Sequence, residues 1–243
     1  MTGNVSKRTF VLVHGAWHGG WCWSGVADGL RAAGHRVFAP TLTGLADRSH
    51  LMSRSIDLDT HIADVANLFE WEDVEDAVLV GHSYGGWVVS GAIEKVLPRV
   101  SSMVYLDAFV PDSGQRSYDL THGGNRRGLD EALANGAVSR PSPGAAAFGL
   151  TDPADIAWVD SKLTPQPIGV YMQPLMLTGA RERVGRKLYI RAPSYAQPAF
   201  DAALAKCQAD PTWRTLVMKG CSHDVMVDAA PGLTELLLAE AVG

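Results

Sequence analysis

Three residues of this chain stand where their types and spacing can do chemistry together: a serine between glycines, an aspartate ending an apolar run, and a late histidine. Ser83 lies in Gly81-His82-Ser83-Tyr84-Gly85-Gly86, a G-x-S-x-G with a buried-strand run (Ala77-Val78-Leu79-Val80) before it and a helical pattern (Trp87 to Leu97) after it. A G-x-S-x-G at such a strand-to-helix turn lifts a serine hydroxyl above the sheet edge, where it can act as a nucleophile. A hydroxyl needs a base to take its proton. Among the eight histidines, His223 is best placed, in the polar turn Lys219-Gly220-Cys221-Ser222-His223-Asp224 after the last apolar strand. The base needs a carboxylate to fix its tautomer and stabilise the imidazolium. Asp107 follows Met103-Val104-Tyr105-Leu106 and is the candidate acid, with Asp112, Asp201 and Asp224 as rivals. The chemistry implied is acyl transfer, and the order Ser83, Asp107, His223 is one in which that chemistry is known to run.

An oxyanion must also be held. The backbone N–H of Tyr84, after the nucleophile, is one donor. Ala16, in the glycine-rich turn His14-Gly15-Ala16-Trp17-His18-Gly19-Gly20, is the other. Gly15 lets the backbone approach a substrate, and Trp17 is the candidate pocket aromatic. Trp21, Trp23 and Trp87 taken singly read as core side chains. His14, His18 and His82 read as structural hydrogen bonders, because no cysteine or carboxylate shares a metal-ligand spacing with them. Cys22 has no adjacent base and reads as a small packing residue. No G-x-G-x-x-G and no Gly-Lys-Ser/Thr phosphate loop is present. No metal or cofactor is expected.

The elements that must position these groups alternate between strand and helix. Strands are expected at Phe10–Val13, Arg36–Ala39, Ala77–Val80, Ser102–Leu106, Lys187–Arg191 and Thr215–Met218. Helices are expected at Trp23–Ala33, Asp59–Leu68, Trp87–Leu97 and Glu235–Ala241, and Asp201 sits on a further helical stretch. That alternation predicts an α/β fold with a mostly parallel sheet. Residues 114–183, rich in Gly, Pro, Arg and Ala, give no clean strand pattern. They read as a cap over the C-terminal edge of a core made of residues 1–113 and 184–243.

Composition bounds the partners. The chain has 243 residues, 47% hydrophobic and 19% charged, with a formal net charge of -5 and no basic stripe. That suits one domain with a large core and argues against nucleic acid as a partner. Three cysteines without C-x-x-C spacing, a polar Met1–Thr9 with no leader pattern and no membrane-length apolar run predict a cytoplasmic protein. The expected partner is a small-molecule ester. Oligomeric state is not legible.

Taken together, the Phe10-to-Trp23 stretch, Thr41-Leu42-Thr43-Gly44-Leu45, Val78-to-Gly86 and Asp107-Ala108-Phe109-Val110-Pro111 resemble the plant methyl esterase and hydroxynitrile lyase branch of the α/β-hydrolases. Bacterial pyrethroid-hydrolase-like carboxylesterases look closer still. The resemblance covers nearly the whole chain and is weakest over residues 114–165. It implies an α/β-hydrolase fold and a cofactor-free serine carboxylesterase acting on a small to medium, apolar or aromatic ester. Lactonase, lyase and hormone-receptor activities are the alternatives it carries. Lyases of this branch have threonine or asparagine after the first turn histidine, and one type has lysine after the catalytic histidine. Here Gly15 and Asp224 stand in those places, and Asp224 is expected to oppose a departing cyanide by like charge. The plant members carry the acid after the strand matching Leu188-Tyr189-Ile190. This chain continues there as Arg191-Ala192-Pro193-Ser194-Tyr195, without a carboxylate, and the bacterial relatives imply Asp107 instead.

Overall fold

The structure, a computed structural model, describes residues 7–241. Most of the polar stretch Met1–Thr9, on which the expectation of no leader rests, lies outside those residues. Six strands, β1 (Thr9–Val13), β2 (Arg36–Phe38), β3 (Ala77–His82), β4 (Val100–Leu106), β7 (Arg186–Arg191) and β8 (Trp213–Val217), form one sheet in the order β2-β1-β3-β4-β7-β8. Every pairing in it is parallel. The two remaining strands, β5 (Ser139–Arg140) and β6 (Gln166–Pro167), pair antiparallel and apart from it.

The apolar strands are buried on both faces, as a parallel sheet covered by crossover helices requires. Alternate residues divide between two cores. Val11, Val13, Leu79, Met103 and Tyr189 meet Ile62, Val65, Val89 and Ile93 from α2 (Leu58–Trp71) and α3 (Gly85–Val96). Phe10, Leu12, Val80, Val104 and Ile190 meet Val26, Leu30, Leu233 and Leu237 from α1 (Ser24–Ala32) and α9 (Ala230–Ala241). Helix α2 starts with a reciprocal cap: Asp57 accepts from the Thr60 N–H while the Thr60 hydroxyl accepts from the Asp57 N–H. The two middle strands end at the site, with Ser83 and Asp107 just past β3 and β4.

Expected element boundaries shift by three residues or fewer, save the start of the last helix, and two of the shifts have a plain cause. The first helix begins at Ser24, because Gly20–Trp23 form a separate 3-10 turn. The last begins at Ala230, five residues early, because Pro231 fits a first helical turn where its missing N–H is no loss. Between β4 and β7 run α4 (Gly123–Ala134), α5 (Pro153–Asp160) and α6 (Gly169–Met172) with the β5–β6 pair. A cluster of its own within this stretch comprises only Ala145, Leu150 and Val159. Its larger apolar residues, including Leu129, Phe148, Val170, Tyr171 and Leu175, pack into the core that holds α2 and α3. The remaining helices are α7 (Pro198–Ala209) and α8 (Val225–Asp228), the latter opening immediately after His223 and Asp224.

Candidate active site

Ser83 sits at a backbone φ of +52°, a left-handed conformation costly to a side chain. The surroundings hold it there. The Ser83 N–H donates to the Leu106 carbonyl at 3.2 Å, and the Ser83 carbonyl accepts from the N–H groups of Gly86 at 3.1 Å and Phe109 at 3.3 Å. Helix α3 can begin this close to β4 only because residue 86 is glycine: a Cβ there would lie 2.1 Å from the Phe109 carbonyl oxygen. The hydroxyl is thus carried on a strained turn at the top of the sheet, as the motif predicts.

The structure brings His223 and Asp107 together. His223 Nδ1 lies 2.6 Å from Asp107 Oδ2, and both residues are buried. Nδ1–H donates to the carboxylate, which leaves Nε2 without a hydrogen bond among the described residues. The ring is clamped by stacking on Tyr195, centroids 4.4 Å apart, and on Phe200 at 5.4 Å. The rival acids are occupied elsewhere. Asp112 pairs with Lys206, Asp201 with Arg191, and Asp224 with His18. Asp107 itself takes a φ of +42°. Its second oxygen, Oδ1, accepts from the Arg191 guanidinium at 2.6 Å and from the Ala192 N–H at 3.0 Å. Strand β7, which offers no carboxylate, therefore supplies two donors that orient one placed on β4. That buried arginine was not anticipated from sequence.

On the other side, the glycine-rich turn holds its N–H groups through its histidines. His14 Nε2 accepts from the Leu42 N–H at 3.0 Å, so its Nδ1–H donates to the Gly15 carbonyl at 2.8 Å. Burial holds that ring down at about pKa 3. His18 Nδ1 is 2.8 Å from the Ala16 carbonyl and its Nε2 is 3.2 Å from Asp224 Oδ2. Burial works to lower its pKa, but the charge and hydrogen bond of Asp224, with the Ala16 carbonyl, outweigh it and raise it. His82 Nε2–H donates to the His223 carbonyl at 3.0 Å, and burial pushes its pKa well below the usual imidazole value. All three are hydrogen bonders of the framework. The N–H groups of Ala16 and Tyr84 have no hydrogen-bond partner among the described residues, as an oxyanion site requires.

Two expectations change here. Gly15 does not line the cavity. It packs beneath it, and a Cβ there would lie 2.9 Å from His82 Nδ1 and 3.0 Å from the Ser83 Cβ. A side chain there, such as the threonine or asparagine of the lyases, would require the His82 ring or Ser83 to shift. Asp224 does not face a leaving group: it is fully buried, bonded to His18 and absent from the cavity wall. Its sequence position beside His223 says nothing of where helix α8 turns it.

Ser83, Tyr84, His223, Ala16 and Trp17 line one cavity with roughly 510 Å³ of empty space, its open mouth included. Phe109, Phe148, Phe200 and Tyr195 make much of the wall apolar. Residues 114–183 also hold the machinery itself. The Phe148 carbonyl accepts from the His223 N–H at 2.9 Å, and Gln166 Oε1 accepts from the Trp17 N–H at 2.8 Å. Thr164 donates its N–H to the Trp17 carbonyl at 3.0 Å. Only the irregular composition of this stretch marked it in the sequence. Cys22 is buried, and burial together with Asp224 raises its thiol well above the ordinary range, so it is no nucleophile. Among the described residues no cluster of three or more His, Cys, Asp or Glu could hold a metal ion, and no helix is long and apolar enough to cross a membrane.

Residues 10–235 match the model of the alpha/beta hydrolase family. The chain is 39% identical to a carbendazim-hydrolysing esterase from Nocardioides sp. (strain SG-4G), over 95% of this chain and 98% of that one. Among solved structures, an extracellular α/β-hydrolase from a Paenibacillus species superposes with a TM-score of 0.81 at 22% identity, over 96% of this chain and 98% of the other. A pyrethroid hydrolase from Sphingobium faniae JZ-2 superposes with a TM-score of 0.71 at 22% identity, over 97% and 98%. With a parallel sheet flanked by helices and a match over nearly its whole length, the chain belongs to the α/β-hydrolase family, as one of its ester hydrolases.

Proposed function

We propose that this protein is a serine carboxylesterase that works through an acyl-enzyme. Ser83 Oγ attacks the ester carbonyl as His223 Nε2 takes its proton, and the Ala16 and Tyr84 N–H groups hold the oxyanion. The tetrahedral intermediate collapses, the C–O bond to the alcohol breaks, and His223 returns the proton to the departing alkoxide. Water then attacks the acyl-serine with His223 again as base, releasing the acid and restoring the hydroxyl. Asp107 holds the imidazole in the tautomer with Nε2 free and stabilises the imidazolium between steps. Residues 114–183 act as the cap that closes the cavity and shapes it for an apolar or aromatic ester. One observation carries the reading: the 2.6 Å His223–Asp107 bond stands beside a left-handed Ser83 in a shared cavity.

The test is hydrolysis of p-nitrophenyl acetate, butyrate and octanoate, with carbendazim added because the Nocardioides relative is named for it. We expect turnover of at least one of these by the wild type. Ser83→Ala should lower kcat by about three orders of magnitude or more with an unchanged melting profile. Undiminished turnover in that variant would remove Ser83 as nucleophile.

A further inference from the structure

One wall of the cavity is not apolar. His122, Asn125, Arg140 and Gln197 line it beside Tyr171, and among the described residues no aspartate or glutamate lines the cavity. Arg140 is 5% exposed. Its Nη2 donates to Asn125 Oδ1 at 3.0 Å. Among the described residues its Nε and Nη1 make no hydrogen bond, and it forms no ion pair. The other buried arginines differ: Arg181 is paired with Glu182, and Arg191 with Asp107 and Asp201.

A guanidinium carries a fixed positive charge, and burying a charge without a counter-ion is costly. What offsets part of that cost here is aromatic. The guanidinium carbon lies 5.0 Å from the Trp17 ring centroid and 5.8 Å from that of Tyr171, close enough for cation–π attraction. The Tyr171 hydroxyl is buried against the Arg140 guanidinium, makes no other hydrogen bond among the described residues and belongs to the same cavity. A guanidinium with donors still free beside a phenol, and no carboxylate among the described lining residues, makes a receptor for a carboxylate.

We infer that Arg140 and Tyr171 form an anion subsite, and that the substrate is a half-ester: a dicarboxylic acid with one carboxyl esterified and the other free. This rests on Ser83 and the Ala16 N–H receiving the ester end. Trp17, on whose ring Arg140 stacks, directly follows Ala16, so the free carboxylate lies a short spacer away from the scissile carbonyl. The phenylalanine-lined remainder suits an aromatic or short aliphatic spacer.

Binding is measured by calorimetry to Ser83→Ala, which separates recognition from turnover. The probes are monomethyl succinate, glutarate, adipate and terephthalate, each against its dimethyl ester. At least one half-ester should bind at least ~10-fold tighter than its diester, with an affinity that weakens as sodium chloride is raised. In the same background Arg140→Gln should erase the preference, Arg140→Lys should restore part of it, and Tyr171→Phe should lower it less. Equal binding of every half-ester and its diester overturns the subsite, as does a preference that survives Arg140→Gln. If Arg140→Gln does not fold, the salt dependence and the Arg140→Lys affinity decide the question. Turnover retained in Ser83→Ala would sink the nucleophile assignment instead, a different result from a missing half-ester preference.

Discussion

Two buried histidine–carboxylate pairs lie near the cavity, and the difference that decides their chemistry is one nitrogen. His223–Asp107 and His18–Asp224 are each sealed from solvent and each joins residues far apart in the chain. In the first pair the ring bonds through Nδ1 and keeps Nε2 without a partner. In the second, Nδ1 meets the Ala16 carbonyl and Nε2 meets Asp224, so both nitrogens donate and the ring is spent as a cationic strut. The first pair can pass a proton; the second can only hold a shape. A histidine next to a carboxylate is therefore not a base until one nitrogen is left over, and the hydrogen-bond partners decide which it is.

The comparison breaks most visibly at Asp107. Asp107→Asn should lower kcat/KM about 10²–10⁴-fold, because an amide can present its NH₂ to Nδ1 and select the wrong tautomer. Asp201→Asn, which touches only Arg191, should stay within a few-fold in parallel steady-state assays; a larger loss there than at Asp107 would reassign the acid. The second pair should answer in stability rather than rate. His18→Ala leaves Asp224 buried without its counter-ion, with Oδ1 already unpartnered, and should cost about 3–5 kcal/mol in urea unfolding. In the folded fraction its kcat should fall far less than that of Asp107→Asn.

The smallest effect is a difference of sign with pH. The raised His18 contributes stability that is fully present below 6.5, its ordinary value, and is lost as pH rises through its folded value. His14 and His61, which burial holds at about 3 and about 4, act oppositely. They are neutral when folded and take protons when unfolded, so stability falls as pH drops below 6.5 toward those values. Thermal melts from pH 4 to 9 should show a wild-type maximum near neutrality. His18→Gln should flatten the alkaline side and leave the acid side unchanged.

How much of this the sequence displays depends on the distance over which each feature is encoded. Strand β3, Ser83 and helix α3 are contiguous, so an apolar run, glycines and a helical period show the nucleophile turn directly. Asp107 could be read from its place after β4 because topology brings consecutive strand ends to one edge. The pairs Arg191–Asp107 and His18–Asp224 join residues 84 and 206 positions apart, and no local pattern records them. Residues 114–183 hid for another reason. Their strands are two residues long, and their apolar side chains are complements to α2 and α3 rather than to one another.

The register of β4 against β7 has a consequence in time. Ser102 stands opposite Arg186 and Leu106 opposite Ile190, so the middle of the sheet cannot close until the whole intervening stretch has been looped out. Non-local closure of this kind is slow. During synthesis Ser83 leaves the ribosome long before His223, and its neighbouring residue His82 waits 141 positions for the carbonyl it will bind. The turn that carries Ser83 thus stands without His223 beside it until β7 and β8 dock. Under the proposed mechanism ester cleavage waits for that docking, and its recovery during refolding should report the docking step rather than the first collapse.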